Sequence, residues 1–151
     1  MFVPTAIALA VFAMTANATE LTMEQGTVTP GNPVTLSVKL AAGAALPTGI
    51  QFDLEYDAAA LDITVEAGQA AKQAGKNLQT ATIRDGKQRV LIFGFNRNAI
   101  SDGVLANVRV SYKGHDTGKS FPIHITASSG TNQKAEQVTV TAQDGSVRVE
   151  K

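Results

Sequence analysis

Apolar and polar residues alternate along most of this chain, and the alternation predicts β-strands. In residues 49–56 (GIQFDLEY) the large apolar residues stand at every second position. A period of two residues is typical of a strand with one buried and one solvated face. The positions expected to face water are Gln51, Asp53 and Glu55. The positions expected in the core are Phe52, Leu54 and Tyr56.

Comparable runs recur at intervals of about 8–12 residues, separated by turn-forming residues. No segment keeps a helical period of about 3.6 residues over a full helix length. Short strands without a helix indicate a single all-β domain, a nine-stranded jelly-roll or immunoglobulin-like β-sandwich. Residues 68–76 are predicted as a loop whose alanines can form a helical turn. The predicted strands are residues 34–40, 49–56, 63–67, 78–84, 88–95, 104–112, 121–127, 138–141 and 146–149.

Turns that contain Asp separate several of these strands. Asp57 follows the 49–56 strand, and its side chain can cap the short turn that leads to Leu61. Asp85-Gly86 stands between two strand-like runs, and this dipeptide favours the positive φ angles of a tight hairpin turn. Asp144-Gly145 is predicted to join the last two strands as a pair.

The first 18 residues differ from the rest of the chain. Residues 7–14 are an apolar run, and Ala16-Asn17-Ala18 has the small-x-small form of a cleavage site. We interpret residues 1–18 as a secretory signal peptide and residues 19–151 as the extracytoplasmic domain of a bacterial protein. The run is shorter than the roughly 20 apolar residues of a membrane-spanning helix. No Lys or Arg precedes it, and the alternative is an apolar N-terminal strand.

Composition removes several classes of function. Thirteen basic residues balance 13 acidic residues, whereas nucleic-acid binders usually have a basic excess. The chain has no Cys, which excludes disulfides and thiolate metal sites. No nucleophile elbow or other residue set with defined catalytic roles is present. We therefore expect a protein that is not an enzyme and uses no cofactor.

Acidic residues and two histidines are candidate metal ligands. Calcium needs about six converging oxygens, and the acidic residues after position 52 have the spacing of no EF-hand loop. His115 and His124 lack a second ligand at a suitable spacing. We interpret the acidic residues as a solvated strand edge and expect no bound metal. These residues are Asp53, Glu55, Asp57 and Asp62.

Residues 90–95 (VLIFGF) are apolar at both alternating sets of positions. A strand in a two-layer sandwich normally has one solvated face, so one set is expected to point outward. We expect the larger set in the core: Leu91, Phe93 and Phe95. The other set would form an exposed apolar strip typical of a protein-binding surface: Val90, Ile92 and Gly94. The alternative is a central strand that is covered on both faces.

Three segments in this order resemble the cohesin domain, the receptor half of cohesin–dockerin pairs in bacterial scaffolding proteins. Residues 26–38 begin with Gly and lead into alternating strands. Residues 49–61 (GIQFDLEYDAAAL) are similar to the family segment fxxxYDpxxL, and residues 102–112 (DGVLANVRVSY) to the family strand dGxlxxixf. Near Gly49 and Gln51, cellulosomal cohesins tend to have an Asn and an Asp, and this chain has neither.

The resemblance implies a jelly roll without catalytic activity, in which one sheet face docks a partner protein. The partner is expected to be dockerin-like or another cell-envelope protein. The strands implied are those at residues 49–56, 78–84, 89–96 and 104–112. The partner-binding residues that we predict are Gln51, Asp53, Glu55, Val90, Ile92, Gly94 and Asn96.

Carbohydrate-binding modules share the sandwich fold, so polysaccharide binding is the alternative function. Sugar sites usually stack aromatic rings on the sugar faces. The chain has no Trp, and its two Tyr are at predicted strand positions near the core, which favours protein binding. A self-assembling structural subunit of the envelope is the third interpretation.

Overall fold

The computed structural model describes residues 18–151, which form eleven β-strands, a single-turn helix α1 (Gln69–Gln73) and a 3-10 turn (Gly43–Ala45). The strands are β1 (Thr19–Met23), β2 (Gln25–Val28), β3 (Val34–Ala41), β4 (Gly49–Glu55), β5 (Leu61–Ala67), β6 (Asn77–Arg84), β7 (Lys87–Phe93), β8 (Gly103–Tyr112), β9 (Ser120–Thr131), β10 (Gln137–Gln143) and β11 (Gly145–Val149).

The strands form a continuous hydrogen-bonded path that makes two layers. Its order is β5-β8-β3-β1-β10-β9-β4-β7-β6, and β11 joins β2 to the start of β9. Neighbours are antiparallel, except that β1 is parallel to β10 and β2 to β11. One layer holds β5, β8, β3 and β1, and the other holds β9, β4, β7 and β6. The two layers meet near the ends of the path, where Gln88 Nε2 on β7 donates to the Ile63 carbonyl oxygen on β5 at 3.1 Å.

A single hydrophobic cluster lies between the layers. Phe52 and Leu54 of β4 have no exposed surface, which confirms their prediction as core residues. Tyr56 is half-buried at the rim of the cluster, and its hydroxyl oxygen accepts a hydrogen bond from Gln88 Nε2 at 2.8 Å. Full burial of a side chain such as Phe or Leu stabilises a fold by roughly 1.5–3 kcal/mol. Core packing of this kind holds the domain without any disulfide.

The all-β sandwich predicted from the sequence is confirmed, although the described residues form eleven strands rather than nine. The additional strands are β1 and β2, which are only five and four residues long. An alternation over so few residues is too short to distinguish from a loop. The helical turn that the alanines of residues 68–76 allowed is α1.

Two of the predicted turns are confirmed. Asp57 Oδ1 accepts a hydrogen bond from the Ala59 N–H at 3.0 Å and so caps the turn after β4. Asp85-Gly86 closes the hairpin of β6 and β7, and Gly86 has a φ of 79°. The predicted pairing of the last two strands around Asp144-Gly145 is wrong. Strands β10 and β11 instead pair with opposite ends of β9, because the chain crosses between layers at this point.

The predicted signal peptide lies outside the described residues except for Ala18, and it stays a prediction. Within residues 18–151, no helix combines the length and the apolar character that crossing a membrane requires.

Candidate functional site

The outward side of β6, β7, β4 and β9 brings together the polar positions predicted on β4. The strand registers place Gln51 between Leu91 and Ser129, and Asp53 between Arg89 and Thr126. We call this surface the β4–β7 face. Its residues are Asn77, Gln79 and Ala81 of β6; Lys87, Arg89, Leu91 and Phe93 of β7; Gly49, Gln51, Asp53 and Glu55 of β4; and His124, Thr126, Ser129 and Thr131 of β9.

Asp53 is the buried anion at the centre of the β4–β7 face. Its side chain has no exposed surface, because Arg89 covers it. Arg89 Nε donates to Oδ1 at 2.8 Å and Arg89 Nη2 donates to Oδ2 at 3.1 Å. The hydrogen bond and the negative charge of Asp53 raise the pKa of Arg89. Asp53 therefore lies on the outward side of β4, but the prediction that it faces water is wrong. The Arg89 guanidinium covers it and is the group that the pair presents to the surface.

Glu55 extends this charged cluster towards the β6–β7 hairpin. Its Oε1 accepts a hydrogen bond from Arg84 Nη2 at 2.8 Å and lies 4.0 Å from Lys87 Nζ. Lys87 Nζ is also 3.9 Å from Asp53 Oδ2, so it bridges the two carboxylates. Three cations face two carboxylates here, which leaves one net positive charge on this half of the face.

The other half of the β4–β7 face, called here the apolar half, has exposed apolar side chains among uncharged polar residues. Phe93 is 39% exposed, and Leu91 beside it is half-buried. The small residues Gly49 and Ser129 leave room for a groove of about 500 Å³ next to these two side chains. An exposed apolar surface next to a concave groove and a charged rim is typical of protein-binding sites. The groove is also lined by Gln51, Thr131, Ala135 and Gln137.

The predicted orientation of residues 90–95 is wrong. Val90 and Ile92 have at most 1% exposed surface and lie in the core, so they are not surface residues. Leu91 and Phe93 point outward instead, and Phe95, beyond the end of β7, is fully exposed.

The register between β4 and β7 explains this orientation. Val90 pairs with the core residue Phe52, and cross-strand partners lie on the same side of a sheet. The sequence did contain a signal: Lys87 and Arg89 occupy the same alternating set as Leu91, and charged side chains are rarely fully buried. That set therefore had to face outward, whatever the size of its apolar members.

Gly94 and Asn96 lie in the connection after β7, where they make contacts within the domain. A Cβ on Gly94 would lie 2.9 Å from the Gly75 carbonyl oxygen, so the two loops pass close together. Asn96 Oδ1 accepts a hydrogen bond from Lys76 Nζ at 2.6 Å, and Asn96 Nδ2 donates to the Ala74 carbonyl oxygen at 3.2 Å. Lys76 is only 4% exposed, and burial lowers its pKa. Asn96 thus joins the loop before β8 to the loop after α1.

His124 lies at the edge of the β4–β7 face and is held by Asp144. His124 Nδ1 and Asp144 Oδ2 are 2.8 Å apart, and Asp144 Oδ1 accepts a hydrogen bond from the Ile125 N–H at 2.8 Å. Partial burial opposes the ionisation of Asp144, but the hydrogen bonds from His124 and Ile125 outweigh it and lower the pKa of Asp144. Across the described residues, no three His, Asp or Glu side chains converge as a metal ion would require.

Comparison with known proteins identifies the family. The cohesin domain family matches residues 19–149, nearly the whole of the described chain. The chain therefore belongs to the cohesin family, as the order of its three segments predicted. A comparison with curated proteins gives no match.

Cohesins are also the solved structures that this fold resembles. The sixth cohesin of scaffoldin B from Acetivibrio cellulolyticus, solved with a mutant dockerin, is 24% identical with a TM-score of 0.77, over 88% of this chain and 99% of that chain. A cohesin from a type I cohesin–dockerin complex of Clostridium thermocellum is 18% identical with a TM-score of 0.77, over 89% of this chain and 100% of that chain. A non-cellulosomal cohesin from the archaeon Archaeoglobus fulgidus is 17% identical with a TM-score of 0.74, over 89% of this chain and 92% of that chain. At these identities the likeness establishes a shared fold.

Proposed function

We propose that this chain is a non-catalytic docking module that binds a dockerin-like protein on the β4–β7 face. The observation that carries the proposal is the make-up of this face, where exposed Phe93 and half-buried Leu91 border a groove beside a cluster of paired charges. Two of the solved cohesins that share the fold were determined as complexes with dockerins.

The two halves of the β4–β7 face have different parts in the proposed docking. The apolar half gives the binding energy, because aromatic side chains near the centre of an interface dominate affinity. The charged half gives orientation. Asp53 already fixes the Arg89 side chain through two hydrogen bonds. The remaining N–H donors of Arg89 can therefore bind an acceptor on the partner with little further loss of side-chain entropy. Gln51 and Glu55 remain proposed contact residues, and Leu91 and Phe93 replace Val90 and Ile92.

We further propose that the domain acts outside the cytoplasm. Residues 1–18 have the apolar run and the Ala-Asn-Ala site of a signal peptide. Thr19, directly after that site, is the first residue of β1 and is fully buried, so the proposed cut would fall at the edge of the folded domain. Mass spectrometry of the exported protein tests the cut, and an intact N-terminus on exported protein would contradict it.

Isothermal titration calorimetry against a panel of purified dockerins tests the docking proposal. Phe93→Ala should weaken binding about thirtyfold, the effect of losing one central aromatic contact of about 2 kcal/mol. Leu46→Ala is the matched control, since Leu46 is 54% exposed but lies outside the β4–β7 face. The control should bind like the unchanged protein.

The possible outcomes test two assignments independently: the β4–β7 face as the binding surface, and a dockerin as the class of partner. Dockerin binding that Phe93→Ala leaves intact would place the partner on another surface. If no dockerin binds, but a protein purified from the exported fraction binds in a way that Phe93→Ala abolishes, then the face is correct and the dockerin class is wrong.

Polysaccharide binding is a second candidate, because Phe93 and Phe95 provide the exposed rings that the sequence had placed in the core. Aromatic rings are amphipathic surfaces on which the apolar side of a sugar can stack. Affinity electrophoresis in gels that contain soluble polysaccharides tests it. Retardation that is lost in Phe95→Ala would favour this candidate over protein docking.

A further inference from the structure

Strand β6 ends the second layer, and its outer edge has no neighbour among the described strands. Seven of its eight residues are exposed, and Leu78 alone is half-buried. An edge strand presents a row of unpaired backbone N–H and C=O groups that another strand can join. Natural proteins usually block such edges with charged residues, Pro or a β-bulge.

The two edge strands of this sandwich differ in that protection. Strand β5, at the other end of the path, carries the exposed charges Asp62 and Glu66, and Lys113 Nζ lies 3.5 Å from Asp62 Oδ1. Strand β6 has no charge before Arg84. Its one protective feature is a bulge at Ile83, where the register with β7 shifts between Thr82 and Arg84. Residues 77–82 (NLQTAT) are therefore a regular, uncharged and accessible edge.

We propose that β6 pairs antiparallel with β6 of a second copy of this chain, around a two-fold axis near Thr80. A second copy fits because an uncharged strand has no like charges to oppose each other when it meets itself, and Thr–Thr pairs across strands are favourable. The pairing would continue the β9-β4-β7-β6 layer through both copies. Both β4–β7 faces would then lie on the same side of one sheet, as a bivalent docking surface.

Sedimentation equilibrium of the purified protein, from micromolar to millimolar concentration, tests the proposal. We expect a monomer–dimer equilibrium. Thr80→Lys places two like charges near the axis and should raise the dimer dissociation constant about fivefold. Thr64→Lys is the matched control, because Thr64 is an exposed Thr on the other edge strand, β5. The control should leave the dissociation constant unchanged, and thermal melting of both variants checks that they fold.

A protein that stays monomeric at millimolar concentration overturns the proposal, and so does a dimer that Thr80→Lys does not weaken. A dimer that is lost in Phe93→Ala but kept in Thr80→Lys would assign self-association to the β4–β7 face instead. Dockerin binding by the Thr80→Lys variant is measured separately, so a failure of the dimer does not bear on the proposed docking function.

Discussion

At the scale of single residues, the Asp53–Arg89 pair is unequal in its exposure. The Asp53 carboxylate has no access to water, whereas 36% of the Arg89 side chain is exposed. Removing Asp53 leaves a guanidinium that can turn into solvent. Removing Arg89 leaves a buried carboxylate whose nearest cation, Lys87 Nζ, is 3.9 Å away. A buried charge without a partner is the more costly of the two results.

We therefore expect Arg89→Gln to lower the free energy of unfolding at least about twice as much as Asp53→Asn. Urea unfolding of both variants measures the difference. Glu55→Gln is the control, and its loss should be the smallest because its partner Arg84 is largely exposed. Equal losses for the first two variants would show that Lys87 moves in to compensate for Arg89.

The lowered pKa of Asp144 predicts a pH dependence of stability. A carboxyl group whose pKa is lower in the folded state stabilises the fold above its ordinary pKa, near about pH 4. This contribution disappears as the pH falls through the lowered value. The difference in unfolding free energy between the unchanged protein and Asp144→Asn should therefore be largest above about pH 4 and shrink below it.

Urea unfolding at a series of pH values measures this difference. Asp116→Asn is a suitable comparison, because Asp116 is 75% exposed and its ion pair with Lys119 lies on the surface. Asp116→Asn should change the free energy of unfolding only slightly at every pH in the series. A difference for Asp144→Asn that stays constant down to strong acid would mean that the Asp144 hydrogen bonds do not depend on its charge.

At the scale of elements, Asn96 joins two connections that are distant in sequence. Asn96→Ala removes the side-chain acceptor of Lys76 Nζ and the donor to the Ala74 carbonyl oxygen. Lys76 Nζ keeps its hydrogen bond to the Asn96 backbone carbonyl oxygen at 3.1 Å. The loss of one hydrogen bond to a charged group costs about 1.5–3 kcal/mol, and we expect a loss of unfolding free energy at the lower end of this range. Asn98→Ala removes a single side-chain bond to the same carbonyl and should cost less. A larger loss for Asn98→Ala would contradict the role given to Asn96.

The β6–β7 hairpin shows which features of a structural element can be predicted from the sequence. Asp85-Gly86 predicted the turn because its backbone requirement is local, and Gly86 indeed has a positive φ. The direction of the β7 side chains was indicated by the charged residues Lys87 and Arg89, which belong to the same alternating set as Leu91 and Phe93. Size favoured Phe93 as a core residue, but the charge of Arg89 on the same side of the strand decided the outcome. The covered position of Asp53 was not predictable, because it depends on the register that pairs Asp53 with Arg89, which no local pattern specifies.

At the scale of the whole molecule, the order of three weakly specific motifs predicted the family correctly. Each is a strand period with a few turn residues, and all three lie within residues 19–149, the range that the cohesin family matches. The fold was predictable because alternation and turns repeat along the chain. The site was less predictable, since it requires β4, the β6–β7 hairpin and β9, which come from three separate parts of the chain, to meet on one face.

The parallel pairing of β1 with β10 has a consequence for the time course of folding. Thr141 Oγ1 on β10 lies 3.5 Å from the Thr19 carbonyl oxygen on β1, although the two residues are 122 positions apart. Strand β1 precedes the other described strands in the chain, and it therefore gains one of its two neighbours only when nearly all of the described chain has been synthesised. Contacts over such separations form slowly. During that interval β1 lacks its β10 neighbour, so the proposed cut before Thr19 would fall next to a strand that is not yet fully paired.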